Sequence, residues 1–146
     1  MKGQELETQY VEAKGELLFE LKAKTTTVTV KEFTPAGVRT ETNLQGEMRG
    51  KFNAIHLETV IALAKPDGTV EYEVHGISTT QDGDTVLNTS KGRGRLENPT
   101  MGRYEGEDTF QTFSNKLAWL NSTKAQHEAT YNFVTGELLV KSHAKK

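Results

Sequence analysis

Short runs of alternating apolar and polar residues, cut by compact turn signals, constrain this chain more than any other feature. The turns are Lys65-Pro66-Asp67-Gly68, Gln81-Asp82-Gly83-Asp84 and Val134-Thr135-Gly136-Glu137. A period of two is the repeat of a half-buried strand, and Asp-Gly or Thr-Gly supplies the positive φ that a tight hairpin needs. Composition agrees: Thr is the most abundant residue at 20, Gly numbers 13 and Pro only three. The strand segments are Gly15–Ala23, Thr26–Phe33, Leu44–Phe52, Ala54–Ala64, Val70–Thr80, Thr85–Gly94, Tyr104–Phe113, Gln126–Phe133 and Glu137–Ser142. The inward parity changes near Thr25–Thr27, which demands a bulge or a tight turn there. A meander of this kind removes its edges by closing on itself. The expectation is one all-β, antiparallel, up-and-down barrel of about eight strands, spanning residues 1–146 as a single domain. A short irregular or helical segment is expected near 115–122, where Leu117, Ala118, Trp119 and Leu120 cluster. Residues 1–13 and 144–146 are expected to fray.

Several function classes fall away. No cysteine is present, which removes disulfides, thiolate metal sites and a thiol nucleophile. Lys plus Arg is 18 against 20 Asp plus Glu, a net charge of −2 that argues against a nucleic-acid partner. No apolar run is long enough for a membrane helix and no secretory leader pattern opens the sequence, so a cytoplasmic setting is expected. His56, His75, His127 and His143 are 19, 52 and 16 residues apart, with no short ligand spacing, so no metal is expected. Gly92-Arg93-Gly94 lacks the third glycine and the βαβ unit of a dinucleotide fingerprint, and no phosphate loop or serine elbow occurs, so no cofactor is expected.

The facing of Ala54–Ala64 depends on one turn. A two-residue Asp67-Gly68 turn sets Leu63 opposite Tyr72, buries Ile55, Leu57, Ile61 and Leu63, and leaves His56 and Glu58 outside. A three-residue Pro66-Asp67-Gly68 loop with a glycine bulge sets Ala62 opposite Tyr72 and turns His56 and Glu58 inward. The first register is preferred, because each buried Ile or Leu is worth about 1.5–3 kcal/mol. The second would leave an apolar outer patch that demands a subunit interface, hence a homo-oligomer. In the last hairpin, a Thr135-Gly136 turn pairs Phe133 with Leu138, Tyr131 with Val140 and Glu128 with His143.

Candidate chemistry centres on carboxylates. Tyr104, Asp108 and Phe110 share a parity, so Asp108 enters the lumen with the aromatics. A carboxylate in apolar surroundings has a raised pKa and serves as a general acid or base. Glu58 and His56 join it only in the second register. Tyr72, Tyr104, Phe110, Trp119 and Tyr131 are the candidate ligand-binding aromatics. Lys91, Arg93, Arg95 and Arg103, beside Glu97, Glu105 and Glu107, read either as a solvated rim or as an anchor for a ligand carboxylate. The expected partner is one small apolar or amphipathic molecule in the lumen. Cofactor-free isomerisation or cyclisation of such a molecule and a purely structural barrel are the alternatives.

The run Gly102-x-Tyr104-x-Gly106-x-x-Thr109-Phe110-x-Thr112-x-Ser114, then Leu117, Leu120-Asn121 and Glu128, with the Gly46 and Gly50 step and the Asp-Gly hairpins, resembles the allene-oxide-cyclase-like barrels. That family includes plant cyclases and small bacterial proteins of unknown function, and the resemblance covers roughly the second two-thirds of the chain. It implies an eight-stranded antiparallel barrel with a hydrophobic lumen. In the plant enzymes a buried carboxylate and a bound water assist cyclisation of an unstable fatty-acid epoxide, without a cofactor. Asp108 and Glu58 are the two candidates here for that carboxylate.

Overall fold

The structure, a computed structural model, describes residues 14–145. It is all-β: β1 (Lys14–Thr34), β2 (Gly37–Gly50), β3 (Ala54–Ala64), β4 (Thr69–Thr80), β5 (Thr85–Asn98), β6 (Met101–Thr112), β7 (Lys124–Asn132) and β8 (Glu137–Lys145), with a 3-10 helix at Ala118–Ser122. The strands follow one another in order around a closed barrel, every neighbour antiparallel, and β1 seals against β8. Hairpins β1–β2, β3–β4, β5–β6 and β7–β8 share one end, the mouth. The other connections, with the 3-10 helix, share the floor. The expected fraying of residues 1–13 and of Lys146 lies outside the described residues, whereas Ala144 pairs with Ala125 inside β8.

β1 is one long strand, and the parity switch is a bulge between Thr25 and Thr27. Its β8 partner ends at Lys24, opposite Glu137, while pairing with β2 continues to Thr34, opposite Gly37. Beyond Lys24, β1 therefore runs along the mouth with no described strand on its β8 side, while β2 stays paired with β3 from Val38 to Met48. β2 starts at Gly37 rather than Leu44: its first half sets Thr40 and Thr42 towards the lumen between Arg39, Glu41 and Asn43, so the strand carries no apolar alternation there. A second bulge, between Leu17 and Phe19, turns Leu18 into the core and leaves Leu17 exposed.

The preferred register of β3 on β4 is corrected: Ala62, not Leu63, stands opposite Tyr72. Local turn chemistry decides it. Pro66, Asp67 and Gly68 form a three-residue loop in which Gly68 takes φ +89°, its N–H donates to Lys65 O at 3.1 Å, and Lys65 N–H donates to Thr69 O at 2.8 Å. Asp67 Oδ1 accepts from the Thr69 amide at 2.9 Å and from its hydroxyl at 2.6 Å. Ile55 and Leu57 consequently face out, 61% and 49% exposed. The last hairpin also differs. Phe133–Gly136 make a four-residue loop closed by Gly136 N–H to Asn132 O at 2.8 Å. Tyr131 then faces Leu138, Ala129 faces Val140, and Glu128 faces Lys141.

The core has a floor and a lumen. Phe19, Phe52, Phe110, Leu117 and Leu120 pack the floor, with Phe19 and Phe110 ring centroids 6.2 Å apart, edge to face. The 114–122 segment plugs the floor, with Leu117 and Leu120 turned into the core. Its Asn121 accepts the Thr112 amide at 2.8 Å and donates to the Thr112 carbonyl at 3.0 Å, taking the place of a neighbouring strand.

Candidate functional site in the lumen

Above the floor the barrel encloses a cavity of about 500 Å³ that opens at the mouth near Leu96, Pro99 and Phe133. This is the size of a small-ligand site. Leu21, Leu44, Val60, Val74 and Val140 make much of its wall, and His56, Glu58, Tyr72, Asp108 and His127 supply polar points.

One row of inward positions crosses the sheet as Ala62, Tyr72, Gly92, Gly106, His127 and Ser142. The two central glycines leave a gap into which the flanking rings lean. Tyr72 Oη and His127 Nε2 meet at 2.6 Å. A Cβ on Gly92 would lie 2.3 Å from Tyr72 Oη, and one on Gly106 would lie 2.6 Å from His127 Cε1. Glycine is required at both positions by close approach, not by backbone angle.

Asp108 lies behind His127. Its Oδ1 takes a bond from His127 Nδ1 at 2.7 Å and from the Ser90 hydroxyl at 2.5 Å, and its Oδ2 takes one from Ser142 at 2.9 Å. Burial pushes the Asp108 carboxyl up, but these bonds and the adjacent imidazole outweigh it and hold the group below the ordinary 3.8. The raised value expected from the sequence is thus reversed, because Asp108 meets donors rather than aromatic faces. An ionised Asp108 can only accept, so His127 donates from Nδ1. In the neutral ring Nε2 is then the acceptor, and the Tyr72 hydroxyl donates to it. Burial, reinforced by the Asp108 and Glu58 charges, pushes the Tyr72 phenol far above its ordinary 10.0. The result is a Tyr–His–Asp relay with one orienting carboxylate.

A second pair sits on β3. His56 and Glu58, two residues apart, both point inward, as the Ala62–Tyr72 register requires. His56 Nε2 is 2.7 Å from Glu58 Oε1, and Nδ1 is 2.7 Å from Ser78 Oγ. All three residues are buried.

Other sequence candidates divide. Tyr104 and Tyr131 line the cavity; Tyr131 Oη shares a 2.7 Å bond with Thr25 Oγ1. Burial, with the neighbouring Tyr131, raises the Tyr104 phenol. Phe110 belongs to the floor, outside the lumen lining. Trp119 does not reach the lumen: it lies on the outside of the plug, 37% exposed, with Lys51 Nζ 5.6 Å from its ring centroid. Lys91, Arg93, Arg95 and Arg103 are exposed on the outer wall, Lys91 opposite Glu107 and Arg93 opposite Glu105, so they form the solvated rim. Among the described residues no cluster of three or more His, Asp or Glu has metal-binding geometry. Sequence reasoning missed His127 as a site residue. Its signal was parity, since His127 shares a face with Tyr131.

No family model matches the chain, and no curated protein does. Solved structures do. A protein of unknown function from Clostridium acetobutylicum superposes with a TM-score of 0.81 at 18% identity, over 90% of this chain and 97% of its own. A β-barrel-like protein from Acinetobacter baumannii gives 0.76 at 18%, over 90% and 94%. An enzyme from Penicillium herquei gives 0.67 at 22%, over 88% and 92%. At these identities the likeness is one of fold.

Proposed function

We propose that the barrel binds one small, largely apolar molecule in its lumen and moves a proton on it without a cofactor, as an isomerase or cyclase of the allene-oxide-cyclase-like kind. The observation that carries the reading is the Tyr72–His127–Asp108 relay set in the wall of an apolar cavity. Buried polar clusters of this sort seldom raise stability, since packed apolar replacements are often neutral or better. The relay supplies a reversible base: the Tyr72 oxygen accepts a proton from the ligand while its own proton passes to His127 Nε2. Asp108 then neutralises the imidazolium. Reversal returns a proton to the ligand at another atom, so the charge balance closes. Of the two candidate carboxylates, Glu58 is the better placed to meet a ligand, because Asp108 is engaged by three donors. The Penicillium herquei enzyme supports the reading only by analogy of fold.

The test is native mass spectrometry of freshly purified protein, followed by identification of what denaturation releases. A stoichiometric apolar molecule, retained by Tyr72→Phe, is the expected result, and only the wild type should exchange its protons with D2O. An empty lumen that also fails to take up medium-chain fatty acids or a fluorescent apolar probe would overturn binding. Equal exchange by Tyr72→Phe would overturn the relay and leave a carrier.

A further inference from the structure

The outer wall is divided by charge. Towards the mouth, β4 to β6 present Glu71, Glu73, Arg93 and Glu105. Towards the floor the same strands present none. One cross-strand row there reads Gln45, Leu57, Ile77, Leu87 and Gln111. Leu57, Ile77 and Leu87 are 49%, 40% and 42% exposed, and Ile55 beside them is 61% exposed. Thr59, His75 and Thr89 form the adjoining outward row on the mouth side, with His75 Nε2 3.5 Å from Glu73 Oε1, and Thr79 and Thr85 flank Ile55 on the floor side. In a chain with 26% charged residues, an apolar face without formal charge across three central strands is an interaction surface rather than ordinary solvated wall.

We propose that this face binds a second copy of the chain about a two-fold axis through Ile77. The row has the same residue types from either end, amide, Leu, Ile, Leu, amide. A two-fold axis lying in the face along β4 therefore sets Ile77 on its own mate and Leu57 on Leu87 of the second copy. It brings Gln45 to Gln111 at the rim, where amides can donate and accept mutually. An isologous contact needs such self-complementarity, and a face bearing one sign of charge would repel its copy. Twisted sheets packed face to face cross at roughly 30°, which splays the Glu71 and Glu73 ends apart. The three-residue turn at Pro66–Gly68 is the origin of the surface, since it is what put Ile55 and Leu57 outside.

The absence of cysteine makes the test direct. Light scattering over a dilution series should give twice the 16.2 kDa chain mass for the wild type and the single-chain mass for Leu57→Glu, with unchanged circular dichroism. A bis-maleimide spanning about 10 Å, the separation of two packed sheets, should convert Ile77→Cys to a covalent dimer, while Lys141→Cys on the opposite wall should not be joined. If Leu57→Glu fails to fold, the cysteine pair decides alone. A wild type of single-chain mass at every concentration, or a Lys141→Cys that crosslinks as fast as Ile77→Cys, overturns the proposal. So does an assembly of three or more copies.

Discussion

Tyr72 Oη and His127 Nε2 lie 2.6 Å apart although two strands separate their own. Gly92 and Gly106 fill the two intervening positions of the row. The bond therefore depends on what those positions lack. Gly92→Ala should push the Tyr72 ring away and break the contact. The cost is about 1–3 kcal/mol of overpacking, read by chemical denaturation. A Gly92→Ala barrel as stable as the wild type would show that the rings have slack.

Tyr72 makes the barrel sensitive to alkali. Its folded pKa is raised, so the stabilisation is whole below the ordinary 10.0 and is lost as pH climbs beyond it, where the unfolded chain ionises first. Denaturation midpoints should fall above that pH, with Tyr72 contributing at most about 1.4 kcal/mol per pH unit. Tyr72→Phe should flatten the slope. Absorbance titration should show the same resistance to ionisation.

Asp108 acts in the opposite pH range. Its folded value is depressed, so its contribution is present above the ordinary 3.8 and disappears as pH falls through the folded value. Asp108→Asn should remove that acid dependence. It should also cost about 3–5 kcal/mol at neutral pH, since His127, Ser90 and Ser142 lose an ionic acceptor. A melting point within a few degrees of wild type would mean that the donors re-pair, and would favour a role for Asp108 in chemistry alone.

The plug hangs on one amide. Asn121→Ala removes both bonds to the Thr112 backbone and leaves two buried groups unmatched, which should cost about 1–3 kcal/mol. Limited proteolysis should then cut within 114–122, and the cut should appear before any loss of β signal.

The closed antiparallel barrel was legible because period-two alternation and glycine turns are local. β3, for example, has the bounds that its alternation gave it. The facing of that same strand was not legible from burial. Leu63 and Ala62 compete for the place opposite Tyr72, and a burial argument favours Leu63. The winner was set by hydrogen bonds within five residues, Lys65 to Thr69. His56 and Glu58 followed that choice into the lumen. Asp108 was placed correctly by parity and misjudged in charge, because its donors come from β5, β7 and β8, far away in the chain. Trp119 looked like a ligand platform by composition alone. Its neighbours Leu117 and Leu120 took the inward side of a turn too short to bury a third large residue.

The seam between β1 and β8 has a consequence for how the chain reaches this state. The last strand is the one that closes the first, so no shorter nascent chain can complete the ring. Until Glu137–Lys145 is available, β1 and β7 each present an unpaired edge, and the relay lacks Ser142 behind Asp108. Folding should therefore be late and slow, governed by a contact between chain segments far apart in sequence. A protease that removes the last strand would open the lumen along its whole height rather than trim an end.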